Sequence, residues 1–240
     1  MMFERDNGRD AATLRPIVIE REPTGAAGSI LYASGETRVL CTAMVSDELP
    51  RWRAASGKGW LTASYQMLPG STSRRKAPSS KPDGRATEIQ RLIGRSLRAA
   101  VDFGALGPRM VHVDCHVLKA DGGTRTAAIS GGYVALVLAL QPLVDSGALP
   151  ALPLRHSIQA ISVGRIGDEA LLDLCYREDS SADVDMNVVA ADATLLVEVQ
   201  GAAEGDPFPR AALDRLLDLA LSGTEAIAVA QQAALAKEGS

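Results

Sequence analysis

Residues 127–140 carry no charged side chain, and the run meets Gln141 and Pro142 at its far end. A membrane span needs about 20 apolar residues. The stretch is too short for that and reads as a helix buried inside a folded core. A chain of 240 residues is long enough to build such a core without covalent staples. Its composition, 46% hydrophobic and 22% charged, excludes a mainly disordered, collagen-like or low-complexity chain. The three cysteines, Cys41, Cys115 and Cys175, form no C-x-x-C motif, so they suggest neither a disulfide framework nor a Cys-rich zinc site. Each lies in an apolar stretch and reads as a small buried hydrophobe. The opening MMFERDNGRD is charged and lacks the apolar segment of a signal peptide. The expectation is a soluble, cytoplasmic protein with no membrane partner.

The buried helix is flanked by a regular pattern. Residues 29–34 and 37–45 are short apolar runs around Gly35 and read as a hairpin. Residues 60–68 form a further strand, stopped by Pro69-Gly70, and 71–84 (STSRRKAPSSKPDG) form a loop. A helix begins near Ala86, with Ile89, Leu92, Ile93, Leu97, Ala100 and Val101 on one face and Arg91, Arg95 and Arg98 on another. Residues 110–118 alternate as a strand, with His112, Asp114 and His116 on its polar side. Asp121-Gly122-Gly123 then turns into the apolar helix, which ends near Pro142. The second half repeats the style. Strand pairs are expected at 157–165 with 170–176 and at 183–190 with 194–199. A final helix runs from about Pro209, with Leu213, Leu216, Leu217, Ala220 and Leu221 on one face. Strands followed by helices, twice, indicate an α+β fold in two pseudo-repeated halves, taken as a single domain over 1–240.

Charge is unevenly spread. Between Ser71 and Arg98 eight basic residues face two acids, a local excess of +6 in a chain whose net charge is −4. Such a segment can dock a polyanion or be a solvated helix face.

Three clusters carry chemistry. In Asp121-Gly122-Gly123-Thr124-Arg125-Thr126, paired glycines let backbone N–H groups approach an anion. The helix N-terminus adds partial positive charge, and Arg125 adds a bidentate donor. The spacing is not that of a Walker A loop, and a plain Gly-Gly turn with an N-capping threonine fits it too. The second cluster follows Glu178-Asp179: on a strand, Asp183, Asp185 and Asn187 share one face and offer hard oxygen donors suited to Mg²⁺. An acidic loop before an edge strand reads equally from that pattern. The third is His112, Asp114 and His116, which lack a third soft ligand and read as a polar strand face rather than a zinc site. His156 has no visible partner. No motif supports a nucleophilic triad.

Several long stretches, in one order along nearly the whole chain, resemble the ribonuclease PH family of bacterial phosphate-dependent 3′-to-5′ exoribonucleases. They are Gly59-Trp60-Leu61-Thr62-Ala63 with Tyr65 and Met67-Leu68-Pro69; Thr87-Glu88-Ile89-Gln90-Arg91-Leu92-Ile93-Gly94-Arg95; and Ala120-Asp121-Gly122-Gly123-Thr124-Arg125-Thr126. Glu178-Asp179-Ser180, Val184-Asp185-Met186-Asn187 and Val197-Glu198-Val199-Gln200-Gly201 follow, leading into Ala203-Glu204-Gly205 and Pro207-Phe208.

The resemblance implies a ribosomal protein S5 domain 2-like α+β fold and a ring-shaped homohexamer, a trimer of dimers. The ring would trim 3′ extensions of tRNA precursors and other RNA 3′ ends. It implies inorganic phosphate as co-substrate, held by Arg85, Gly123, Thr124 and Arg125, and nucleoside 5′-diphosphates as products. Asp179 and Asp185 would serve both the chemistry and a metal, Mg²⁺ with Mn²⁺ as the alternative. Arg74, Arg75 and Lys76 would contact the tRNA. The chain departs from the family pattern at Ser64, at His116 and Lys119, and in a shorter 71–84 loop. The alternative is a non-catalytic RNA-binding ring subunit of the same fold; retention of Arg85, Thr124, Arg125, Asp179 and Asp185 together favours the enzyme. A metal-dependent hydrolytic nuclease would instead release nucleoside monophosphates without needing phosphate. Few aromatics (three Phe, four Tyr, two Trp) point to backbone contacts rather than extensive base stacking.

Overall fold

The apolar run is a helix, and two sheets enclose it. The structure, a computed structural model, describes residue 5 and residues 8–75 and 83–237. The first half contains β1 (Ile17–Arg21), β2 (Gly28–Ser34), β3 (Thr37–Ser46), a short helix α1 (Arg51–Ala54), β4 (Trp60–Met67), α2 (Gly84–Ala100), α3 (Phe103–Leu106), β5 (Met110–Lys119) and α4 (Thr124–Asp145). The second contains β6 (Ile158–Ile166), β7 (Glu169–Leu172), α5 (Tyr176–Asp179), β8 (Val184–Ala191), β9 (Leu195–Ala203) and α6 (Arg210–Ala236).

The first sheet has the order β1-β2-β3-β5-β4, the second β7-β6-β8-β9. Among the described residues only the β4–β5 pairing is parallel. Its long crossover contains α2, as a parallel connection requires.

Helix α4 packs on β2 and β3 on one side and on β6 on the other. The core around it joins Ile30, Val39, Leu136 and Leu140 of the first half to Ile158, Ala160 and Val189 of the second. This explains why residues 126–140 are buried all round and why no single face of the helix is apolar. Among the described residues α4 is the one helix long and apolar enough to cross a membrane, and it is mostly buried inside the fold. A second cluster, with Val163, Val184, Met186, Leu216, Ala220 and Ile227, fills the gap between the second sheet and α6.

The α+β architecture is found, with several boundaries moved. Helix α4 runs past Pro142 to Asp145; the proline leaves the Leu138 carbonyl without its helix amide, and the helix ends within one turn of it. Helix α2 starts at Gly84 because Asp83 caps it, its carboxylate accepting from the Arg85 and Ala86 amides. Val101 leaves that helix in an extended conformation and bridges to Leu154. Strand β7 stops at Leu172 rather than 176, since Asp173 takes a left-handed conformation (φ 55°) and Tyr176 opens α5. The buried face of α6 is Ala212, Leu216, Ala220 and Ile227; Leu213, Leu217 and Leu221 are half-buried beside it. The three cysteines are buried thiols, as expected.

Candidate active site

Strand β5 hands the chain to a tight turn at residues 121–123. Gly122 and Gly123 both have positive φ, 71° and 65°. A Cβ on Gly122 would lie 2.4 Å from the Leu174 carbonyl oxygen, so only glycine allows this loop to rest on the segment before α5. Thr37, fully buried, clamps the turn: its hydroxyl donates to the Gly122 carbonyl (2.7 Å) and accepts from the Asp121 amide (2.9 Å). The N-cap of α4 is Gly123 and no side chain caps it, which corrects the reading of a capping threonine. The first helix bond runs from the Ala127 amide to the Gly123 carbonyl (2.9 Å). The amides of Thr124, Arg125 and Thr126 therefore have no intrahelical partner, and they lie at the positive end of a 22-residue helix.

Thr124 and Arg125 are half-buried. Thr124 shares a 2.8 Å hydrogen bond with the Tyr65 hydroxyl at the end of β4. Burial pushes the Tyr65 hydroxyl up, while the Thr124 bond and the charges of Arg85 and Arg125 pull it down. Arg85, in the first turn of α2, and Arg125 therefore act on the same place from two elements. Tyr65 is a site residue to which the sequence reading assigned no role. Its signal was the β4 alternation, which turns Leu61, Ala63 and Tyr65 inward.

The acidic side comes from the second half. Asp185 lies on β8, between Gly164 of β6 and Ala202 of β9. Asp179 ends α5 and keeps solvent contact. Partial withdrawal from water raises the Asp179 carboxyl above its ordinary value, and the Asp185 charge raises it further. Arg125 and Arg85 pull it back, and Glu204 adds a smaller push. Asp179, Asp185, Arg85 and Arg125 thus share one electrostatic neighbourhood although they lie on four different elements.

Not every candidate joins it. Asp183 does not: its carboxylate accepts from the Gly167 amide (2.7 Å) and secures the β6–β7 turn. Asn187 is buried. Arg74 and Arg75 are exposed beyond β4; Lys76 lies outside the described residues. The basic segment is partly absorbed by the fold. Arg95 pairs with Glu198 of β9, and the Arg98 guanidinium sits 5.0 Å from the centre of the Trp60 ring. His112, Asp114 and His116 form a half-buried strand face. The unusual Ser64 bonds to Asp114, and Lys119 pairs with Glu36. His156 has a partner after all, Asp192, at 2.7 Å. No group of three or more His, Cys, Asp or Glu side chains among the described residues is arranged to hold a metal.

The fold is that of solved exosome subunits. Rice (Oryza sativa) Rrp46 aligns over 96% of this chain and 100% of its own, with a TM-score of 0.79 and 20% identity. A chain of the Archaeoglobus fulgidus exosome, solved with RNA bound to its active site, aligns over 94% of this chain and 91% of its own, with a TM-score of 0.80 and 24% identity. At those identities the likeness is one of fold. Sequence carries it further. Residues 13–142 match domain 1 of the 3′ exoribonuclease family, and residues 156–223 match domain 2. Ribonuclease PH of Mycolicibacterium smegmatis is 52% identical over 239 residues, covering 98% of this chain and 92% of its own. Ribonuclease PH of Mycobacterium ulcerans is 52% identical over 240 residues, covering 98% and 93%. The chain belongs to the 3′ exoribonuclease family and is an enzyme.

Proposed function

We propose that this chain is a phosphate-dependent 3′-to-5′ exoribonuclease whose substrates are tRNA precursors and other RNA 3′ ends. The reading is supported by the charges that act on Asp179, from Asp185, Arg125 and Arg85, with Arg125 in the open first turn of α4. Cations and helix amides suit an anionic nucleophile, and paired carboxylates suit a hard cation.

Inorganic phosphate would sit at the Gly123–Thr124–Arg125 end of α4, with Arg85 across from it. These donors offset its charge against the RNA backbone and aim one of its oxygens at the last phosphodiester phosphorus. The bond to the 3′ oxygen of the preceding nucleotide breaks, and that oxygen takes the proton that the attacking hydrogen phosphate brings. The products are an RNA one nucleotide shorter and a nucleoside 5′-diphosphate. A phosphodiester is exchanged for a phosphoanhydride, so the reaction runs in both directions. The Tyr65–Thr124 bond fixes the Thr124 hydroxyl during this exchange.

The oxygen donors of Asp179 and Asp185 fit Mg²⁺, which characteristically takes one or two carboxylates and keeps waters; Mn²⁺ is the alternative. Burial raises Asp179 first and the Asp185 charge raises it further; that second effect is what such a cation would relieve. Asp179 and Asp185 would hold the cation, which would supply charge compensation at the leaving oxygen. Arg74, Arg75 and Lys76 are assigned to the body of the tRNA. We also propose one domain over the whole chain, a cytoplasmic setting, and a homohexameric ring built as a trimer of dimers.

The test is an incubation of RNA and Mg²⁺ with and without inorganic phosphate, products resolved by chromatography. Nucleoside diphosphates that appear only with phosphate are expected. Nucleoside monophosphates released without it would make the enzyme a hydrolase, and no release at all would favour an RNA-binding ring subunit.

A further inference from the structure

Behind the site lies a buried ionic joint, built largely from an N-terminal segment to which the chemistry above gives no role. Arg15 and Asp173 are 6% and 2% exposed. Arg15 grips the Asp173 carboxylate with both arms of its guanidinium, Nε to Oδ2 at 2.9 Å and Nη2 to Oδ1 at 2.6 Å, and its own amide adds a third bond at 2.8 Å. Its remaining arm, Nη1, donates to the Asp121 carbonyl, the residue before Gly122-Gly123. Gly123 lies against the guanidinium: a Cβ there would be 3.2 Å from Arg15 Nη2. On the other side, the Asp121 carboxylate accepts from the Tyr176 amide (3.2 Å), the first residue of α5. Asp173 holds a left-handed backbone at φ 55°. That conformation is disfavoured for a side chain with a Cβ and persists where surrounding bonds over-determine it.

We infer that Arg15 and Asp173 are positioning residues for phosphate: their ion pair sets the Gly123–Arg125 turn at its working distance from the Asp179 helix. The inference rests on the phosphorolytic reading above. A fork is required, because one side chain must bind a carboxylate and a carbonyl in different directions at once. Lysine keeps the charge and cannot span both. When the joint loosens, the turn shifts, and donors that must converge on one anion no longer do so. Misplacement on the ångström scale is enough to weaken binding and alignment markedly.

The experiment uses the full chain and a short unstructured oligonucleotide, so that tRNA contacts play no part. Initial rates are measured against phosphate concentration for the parent, Asp173→Asn and Arg15→Lys, well below each protein's melting temperature. Asparagine tolerates the left-handed conformation and keeps the size of the side chain, so this variant carries the test if Arg15→Lys fails to fold. Gln231→Ala is the control. It removes buried hydrogen bonds that tie α6 to α4 and β6 without touching the turn itself: Gln231 Nε2 donates to the Ser130 and Ile158 carbonyls. The expected result is a KM for phosphate raised on the order of tenfold in Asp173→Asn and more in Arg15→Lys, with kcat falling less. Gln231→Ala should lower the melting temperature and leave that KM alone. A KM for phosphate within twofold of the parent in the folded variants overturns the inference. So does an equal rise in Gln231→Ala, which would make the effect one of general destabilisation. A parent that releases no diphosphate with phosphate present defeats the functional reading itself, a result visible before any variant is compared.

Discussion

Glu178 is fully buried, and its carboxylate accepts from Arg5 (2.8 and 3.0 Å), from Arg9 (3.1 Å) and from the Cys175 amide (2.9 Å). The next residue, Asp179, keeps solvent contact and meets the Asp185 charge. Burial alone pushes both carboxyls up. At Glu178 the Arg5 and Cys175 bonds outweigh it and hold the group below its ordinary value, whereas at Asp179 the neighbouring carboxylate adds to it. One turn of helix α5 thus carries a buried, hydrogen-bonded acid on its inner side and a solvent-facing acid beside a second carboxylate charge on its outer side. The first fixes the helix; the second is a destabilising arrangement of the kind that persists at functional sites.

The largest effect expected is on turnover. Asp185→Asn changes charge and hardly changes shape, so the protein should fold, and kcat should fall on the order of 10²–10³-fold. Turnover at saturating Mg²⁺ and phosphate checks this, and activity within a few-fold of the parent would remove Asp185 from the chemistry.

Next is stability. Glu178→Ala leaves Arg5 buried without its partner and should cost about 3–5 kcal/mol in denaturant unfolding. The pH dependence has a definite sign. Glu178 titrates below its ordinary value in the folded state, so its contribution is present above the unfolded carboxylate pKa and is lost as pH falls through the folded one. Glu178→Gln should therefore flatten the acid limb of the stability curve. An unchanged limb would mean that the Arg5 pair carries no net stabilisation.

Asp179→Asn should move stability the other way. The folded pKa of Asp179 is raised, so its ionisation opposes folding as pH rises from the unfolded carboxylate pKa through the folded one. The variant should be inactive and, above that window, slightly more stable, by less than about 1 kcal/mol given solvent screening. A loss of stability at neutral pH would break the contrast between the two acids.

The smallest effect is at the exposed basic segment. Arg74→Ala with Arg75→Ala should weaken tRNA binding, each lost phosphate contact making the log–log salt slope shallower by about 0.7–0.9. The maximum rate on a short oligonucleotide should stay near the parent's. Light scattering first establishes that the assembly is intact. A tRNA affinity and salt slope equal to the parent's would make this segment only a solvated surface.

Much of this was legible in the sequence for physical reasons. Residues 127–140 had to be buried, and the periodicities at 89–101 and 110–118 place α2 and β5, with Val101 alone falling outside the helix. Gly122-Gly123 announced a turn that only glycines make. Strand β1 was not legible: it is a short edge strand, Ile17–Arg21, with one buried residue and no clear alternation. Helices α1 and α3 span four residues each, too few for a periodic signal. The clasps behind the site were out of reach for another reason. Arg5 and Glu178 are 173 positions apart, and Arg15 and Asp173 are 158 apart. No local pattern links such pairs; only the closing of the two halves does. Asp183, by contrast, looked like part of the acid cluster because strand alternation says which face a residue takes and not what it bonds there.

On the proposed function the labour of the site is divided: the Arg125 side would handle phosphate, and the Asp179–Asp185 side the cation. Crossed titrations test that division most directly. Arg125→Ala and Asp185→Asn are each assayed on a short oligonucleotide, once against phosphate at saturating Mg²⁺ and once against Mg²⁺ at saturating phosphate. The account predicts that Arg125→Ala moves the phosphate dependence and leaves the Mg²⁺ dependence where it was. Asp185→Asn, through its residual rate, should do the reverse. A phosphate titration unchanged by Arg125→Ala, with oligonucleotide affinity lost instead, would contradict the account and move Arg125 to the RNA.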